Sequence, residues 1–118
     1  SGVSLNSTGQ FLIQCGTSGG IVATGYSSGS WSGSSATSAT GMIVRSRDAA
    51  TLHTGRVTLE NISGNTWISS HTLTGLSSGD PFVGAGTVTL AAALDRVRIT
   101  TTTGTDTFDA GSINISWE

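Results

Sequence analysis

Four residues of this chain pair a ring with a polar handle in a hydroxyl-rich setting: Tyr26, Trp31, Trp67 and His71. Such side chains offer a flat face to a sugar ring, while neighbouring hydroxyls and amides supply the directional bonds that orient it. Trp31 is the sharpest case. It is the only large side chain in the stretch 27–41, "SSGSWSGSSATSATG", whose other members are Ser, Gly, Ala and Thr. Tracts of this kind bury too little apolar surface to offset the entropy of ordering. An indole at the centre predicts an ordered loop instead of a linker. Three uses of Trp31 stay open at this level: a platform for a glycan, an anchor across a subunit interface, or an aromatic folded onto its own sheets.

Covalent chemistry finds less support. Gly16-Thr17-Ser18-Gly19-Gly20 matches the G-x-S-x-G nucleophile elbow, but no helical pattern follows it, and the strand-to-helix turn is what exposes that serine. His53 and His71 lack the short His or Cys spacings of a zinc site. Only a threefold axis gathering copies of one His could make a site from them. Asp106 and Asp109 match no calcium loop and read as turn residues that bond their own backbone. Lying on one turn, they are badly placed to flank a glycosidic bond, as the paired carboxylates of glycosidases must. Cys15, inside "FLIQC", reads as a small apolar core residue. The N-x-[ST] triplets at Asn6, Asn61 and Asn114 carry little information where Ser and Thr make up about a third of the residues. The expectation is a non-enzyme with no cofactor and no metal.

The composition narrows the partners. Only 10% of residues are charged, against a usual share of about 25%. The five Arg are scattered, Lys is absent and the net charge is −2, so the basic stripe that nucleic acid requires is missing. No apolar run reaches the length of a membrane span.

The elements that must position these residues are strands. Period-3.6 patterning is absent, and short apolar or alternating runs end in Gly, Asn, Asp and Ser. Strands are predicted at 10–15, 20–26, 41–47, 56–62, 66–72, 86–91, 96–101 and 112–118. Alternation points Val57 and Leu59 inward, then Val97 and Ile99, then Ile113, Ile115 and Trp117. Trp117 and Phe11 are expected in the core. Gly64-Asn65 predicts a hairpin turn, Pro81 a loop, and 101–111 a structured connection. The fold class read from this is all-β: an antiparallel β-sandwich, jelly-roll-like, with one domain over 1–118. With so few charges to guard its edge strands, the chain is expected to cover them by assembling with itself.

The segment 94–118, "LDRVRITTTTGTDTFDAGSINISWE", resembles the C-terminal part of bacteriophage tail fibre and tailspike proteins. "FLIQCGTSGGIVATGYSSGSW" (11–31) and "SGNTWISSHT" (63–72) resemble upstream parts of the same module in the same order. The resemblance implies a β-rich homotrimer, the C-terminal part of a longer fibre or spike, carried on the virion and exposed to the host surface. Its implied role is host attachment through recognition of bacterial surface polysaccharide or another receptor, in contact with other virion proteins. It also implies that Asp95, Arg96, Arg98, Asp106 and Asp109 form an ion-pair and turn framework. Ligand contacts are expected at Tyr26, Trp31, Trp67 and His71. The alternative is a structural virion protein, either a capsid decoration protein or a trimerisation cap that binds no ligand.

Overall fold

Frequent glycine and β-branched or hydroxyl side chains favour extended backbone cut by tight turns. The computed structural model, which describes residues 1–117, shows eleven strands and no helix among those residues. They are β1 (Ser4–Leu5), β2 (Phe11–Thr17), β3 (Gly20–Ile21), β4 (Ser27–Trp31), β5 (Ser35–Ser38), β6 (Met42–Val44), β7 (His53–Ser63), β8 (Thr66–Gly75), β9 (Pro81–Thr89), β10 (Arg96–Thr101) and β11 (Phe108–Ala110). Every ladder is antiparallel.

The larger sheet runs β5-β4-β9-β8-β7. Its longest hairpin, β7–β8, turns at Gly64, whose φ of 52° is the positive value that a two-residue loop demands at its first central position. Asn61 secures the turn by donating its amide to the carbonyls of Gly64 and Thr66. In the smaller sheet β2 is central, pairing with β10 on one side and with β6 and β3 on the other. It is buried on both faces, which explains its nearly unbroken apolar sequence. Phe11, Ile13 and Cys15 turn to the core, and Leu12 and Gln14 to the other side. Gln14 is fully employed there: its Nε2 donates to Thr40 O at 2.7 Å and its Oε1 accepts from Arg98 Nε at 2.9 Å.

One core joins the two sheets: Ile13, Cys15, Tyr26, Met42, Val88 and Leu90 are buried together, with Val57, Leu59, Trp67 and Ile99 packed around them. A second, of Leu5, Phe11 and Val44, fills one end. There Phe11 and Phe82 set their rings edge-on to His53, at 5.1 and 4.6 Å, and Phe108 stacks on Phe11. The short β1–β11 pair, continued by the Val3–His53 bridge, lies over this end.

Several expectations need correction. Residues 20–26 make only the two-residue β3, because the chain turns at Gly25, where φ is 81°. Pro81 opens β9 opposite Thr74; a first-strand position requires no ladder donor from proline. Asp106 and Asp109 do not bond their own turn. They hold the N-terminal segment, accepting Gly9 N–H at 2.7 Å and the Ser4 hydroxyl at 2.5 Å. The implied ion-pair framework reduces to the exposed Asp95–Arg96 contact, since Arg98 is taken by Gln14. Ser18 sits at the tip of the β2–β3 hairpin, exposed, with no elbow geometry around it.

The largest departure concerns 112–118. Residues 111–117 join no strand ladder, and Ile113, Ile115 and Trp117 are 50%, 62% and 87% exposed. Trp117 is therefore not core within this chain, and residue 118 lies outside the described residues. Alternation in sequence records that one side of a segment must be buried. It does not say by what.

Candidate functional site

The tract 27–41 folds as a strand hairpin, not a loop. β4 and β5 pair from Ser28–Ser38 to Trp31–Ser35, and Gly33, with φ of 72°, closes the connection. Small residues are what make this possible. Ser28 and Ser30 face inward, close to β6, and their hydroxyls accept the Ile43 and Arg45 N–H groups at 3.1 and 3.0 Å. β6 pairs with β2 along one edge, so these serine hydroxyls satisfy its other edge and stitch the two sheets together at this corner. A larger residue at either position would hold the strands apart. Order in the tract comes from satisfied backbone groups and not from apolar burial.

Because Ser28 and Ser30 point in, the alternate positions Gly29 and Trp31 point out. The register sets Trp31 in a row across the sheet, Ser35–Trp31–Val83–Thr72–Arg56, with Thr37–Gly29–Ala85–Ser70–Thr58 as the next row. Trp31 is 55% exposed and Val83 41%. Beside the indole, Gly29, Ala36, Ala85 and Val83 line a shallow depression with Ser35 and Thr37 at its rim. The result is an apolar floor, one aromatic face and, along β5, the hydroxyls of Ser35 and Thr37. Such a surface suits the faces and edges of a pyranose: apolar C–H groups against the ring, hydroxyls against hydroxyls.

The other three candidate residues do not reach this surface. His71 is buried on the inner face of the same sheet, and its Nε2 lies 2.8 Å from Ser30 Oγ. That oxygen also accepts the Arg45 N–H, so one serine side chain ties the imidazole to the backbone that follows β6. His71 thus holds the strand that displays Trp31 and is a positioning residue for it. Tyr26 is buried just before β4; its oxygen accepts Cys15 N–H at 2.8 Å and its hydroxyl donates to Val22 O at 2.7 Å. Trp67 faces inward on β8, packed against the core. Sequence reasoning missed the outward partners Val83, Ser70, Thr72 and Arg56. Alternation within β8 and β9 marks them as outward, but nothing local says which strands neighbour β4.

Burial raises the pKa of both Tyr26 and Cys15 and lowers those of His53 and His71. His53 also has a buried Nε2 with no hydrogen-bond partner. Both imidazoles are therefore held neutral in the fold, whereas the unfolded chain protonates them near pH 6.5. Unfolding takes up protons below that value, so the stability is complete above about pH 7.5 and falls as pH drops through 6.5. Each imidazole removes up to about 1.4 kcal/mol per pH unit until its folded-state pKa is passed. Urea melts should show a midpoint clearly lower at pH 5.5 than at pH 7.5. Equal midpoints would contradict buried, neutral imidazoles.

A second depression is polar, lined by Arg47, Asp48, Thr51, Ser77, Ser78 and Asp80. Its groups already satisfy one another. Arg47 pairs with Asp80, and Asp48 accepts both the N–H and the hydroxyl of Thr51 at 2.8 Å, bonds that hold its carboxyl below the usual range. No group of three or more His, Cys, Asp or Glu side chains able to hold a metal occurs among the described residues. Comparison of the chain with protein-family models, with curated proteins and with solved structures finds no match, so the Trp31 face stands on its geometry alone.

Proposed function

We propose that the chain is the C-terminal module of a phage tail fibre or tailspike, a jelly-roll-like β-sandwich that works as a homotrimer and recognises glycan on the bacterial surface. The observation that carries this reading is the half-exposed Trp31 beside an apolar depression rimmed by hydroxyls on a sheet face with few charges. Weak charge suits neutral sugar better than an ionic ligand, and multivalent display on a trimer would convert modest single-site affinity into firm attachment.

The test is binding to an array of bacterial surface polysaccharides, followed by titration of whichever polysaccharide is captured. Trp31→Ala should weaken that binding at least about 30-fold, as truncation of a central aromatic anchor commonly does. Its melting temperature should stay within about 2 °C of the parent, because the side chain is more than half exposed. Undiminished binding by the variant would remove the platform.

The exposed apolar side chains at Ile113, Ile115 and Trp117 favour a second reading, a structural virion protein that decorates the capsid or caps a trimer without binding ligand. Antibody labelling of purified particles separates the two: label along the capsid, together with no capture on the array, supports the second.

A further inference from the structure

We infer that residues 111–117 are an exchanged strand, which adds to the free edge of β10 in a second copy of this chain. The segment has the sequence of a half-buried strand and lacks anything to be buried by. Ile113, Ile115 and Trp117 alternate with Ser112, Asn114 and Ser116, and all three are at least half exposed. Its base is fixed: Ser112 N–H donates to Ser1 O, and the Ser1 amino group donates to Ser112 O at 2.6 Å. Gly111, with φ of 90°, makes the bend there, and a Cβ on it would stand 2.5 Å from the Gly2 backbone. The arm is anchored at its root and unpaired along its length.

The same chain holds the matching acceptor. Among the described residues β10 pairs only with β2, so its other side presents a row of N–H and C=O groups without a strand partner there. The flank it borders is incompletely covered, for Val97 points inward opposite fully buried Cys15 yet is 41% exposed. Ile99 of β10 and Leu59 of β7 pack against one core cluster, and these two strands are the ends of their respective sheets. A strand laid along β10 with period-2 apolar residues would continue the row of Val97 and Ile99 and cover that flank. Charge on an edge strand usually blocks such addition. Here Arg98 is folded back onto Gln14 and Arg96 onto Asp95, within one copy.

A second copy is the occupant because donor and acceptor have the same shape and period on one chain, so a single contact repeated by rotation satisfies both. Each copy gives one arm and receives one, either reciprocally in a twofold pair or head to tail around a closed ring. The inference deepens the proposed self-assembly and owes nothing to the glycan platform.

The test compares the parent chain with Ile113→Ser/Ile115→Ser/Trp117→Ser by sedimentation equilibrium. The parent should be oligomeric at micromolar concentration, and the variant should associate at least about 100-fold more weakly with an unchanged β-type circular dichroism spectrum. Val97→Cys combined in turn with Ile113→Cys, Ile115→Cys or Trp117→Cys should give disulfide-linked oligomers for at least one pair, and none for any single variant. A monomeric parent, or an oligomer that survives the triple serine change, overturns the exchange. Failure of all three pairs to link overturns β10 as the acceptor. Trp31→Ala should leave assembly intact, so loss of glycan capture and loss of the oligomer are read separately.

Discussion

Phe82→Ala is expected to destabilise the fold by about 3–5 kcal/mol, the usual cost of removing a fully buried aromatic from a core that cannot collapse around the space. Phe82 is 0% exposed and heads the largest side chains in the interior. Its ring sits edge-on to His53, whose other neighbour is Phe11, so the substitution removes one wall from an imidazole already short of a hydrogen-bond partner. Water entering that space would find Nε2, which makes the cavity less dry than an all-aliphatic one and sets the lower end of the range. Against a total stability of about 5–15 kcal/mol for a domain of ordinary size, this loss is a large share. The melting temperature should fall on the order of 10–25 °C. A fall of less than 3 °C would mean that the end core formed by Leu5, Phe11 and Val44 holds without it.

Gly84→Val should cost about 3 kcal/mol or more, the upper end for overpacking. Here one obstacle is backbone and the other a buried ring held by a hydrogen bond. A Cβ at residue 84 would stand 2.3 Å from Gly29 O and 2.3 Å from His71 Cε1. To admit it, either β4 must leave β9, breaking the ladder that carries Trp31, or His71 must swing off Ser30. Both routes disturb the strand that displays the indole, so the variant should lose stability and glycan capture together, whereas Trp31→Ala loses capture alone. Chemical denaturation beside the array measurement distinguishes the two patterns. A Gly84→Val chain that melts with the parent would show that His71 is not held against this position.

Much of the architecture was legible in the residues themselves. The absence of helix follows from missing 3.6 periodicity, and the Gly64-Asn65 turn from its own chemistry. Cys15 and Phe11 are buried where their apolar runs place them. The candidate site was legible only at Trp31. Tyr26 and His71 carry polar atoms that suit a ligand equally well, and the structure uses those atoms to pin Cys15 and Ser30 instead. A side chain's chemistry states what it can bond to, while the choice of partner depends on which strands lie beside it.

The deepest division falls on the hydroxyl tract and the arm. Sequence alone determined that 27–41 cannot be held by apolar burial and that 112–117 must hide one side, because composition and period are local properties of the chain. Only the tertiary arrangement decided how each demand is met. Ser28 and Ser30 reach the N–H groups of Ile43 and Arg45 because β4, held between β5 and β9, lies across from β6, and the arm stays uncovered because β1 and β11 hold its root while none of the described strands lies alongside it. Long-range pairing sets both outcomes, and pairing is a relation between segments far apart in sequence that no single stretch encodes.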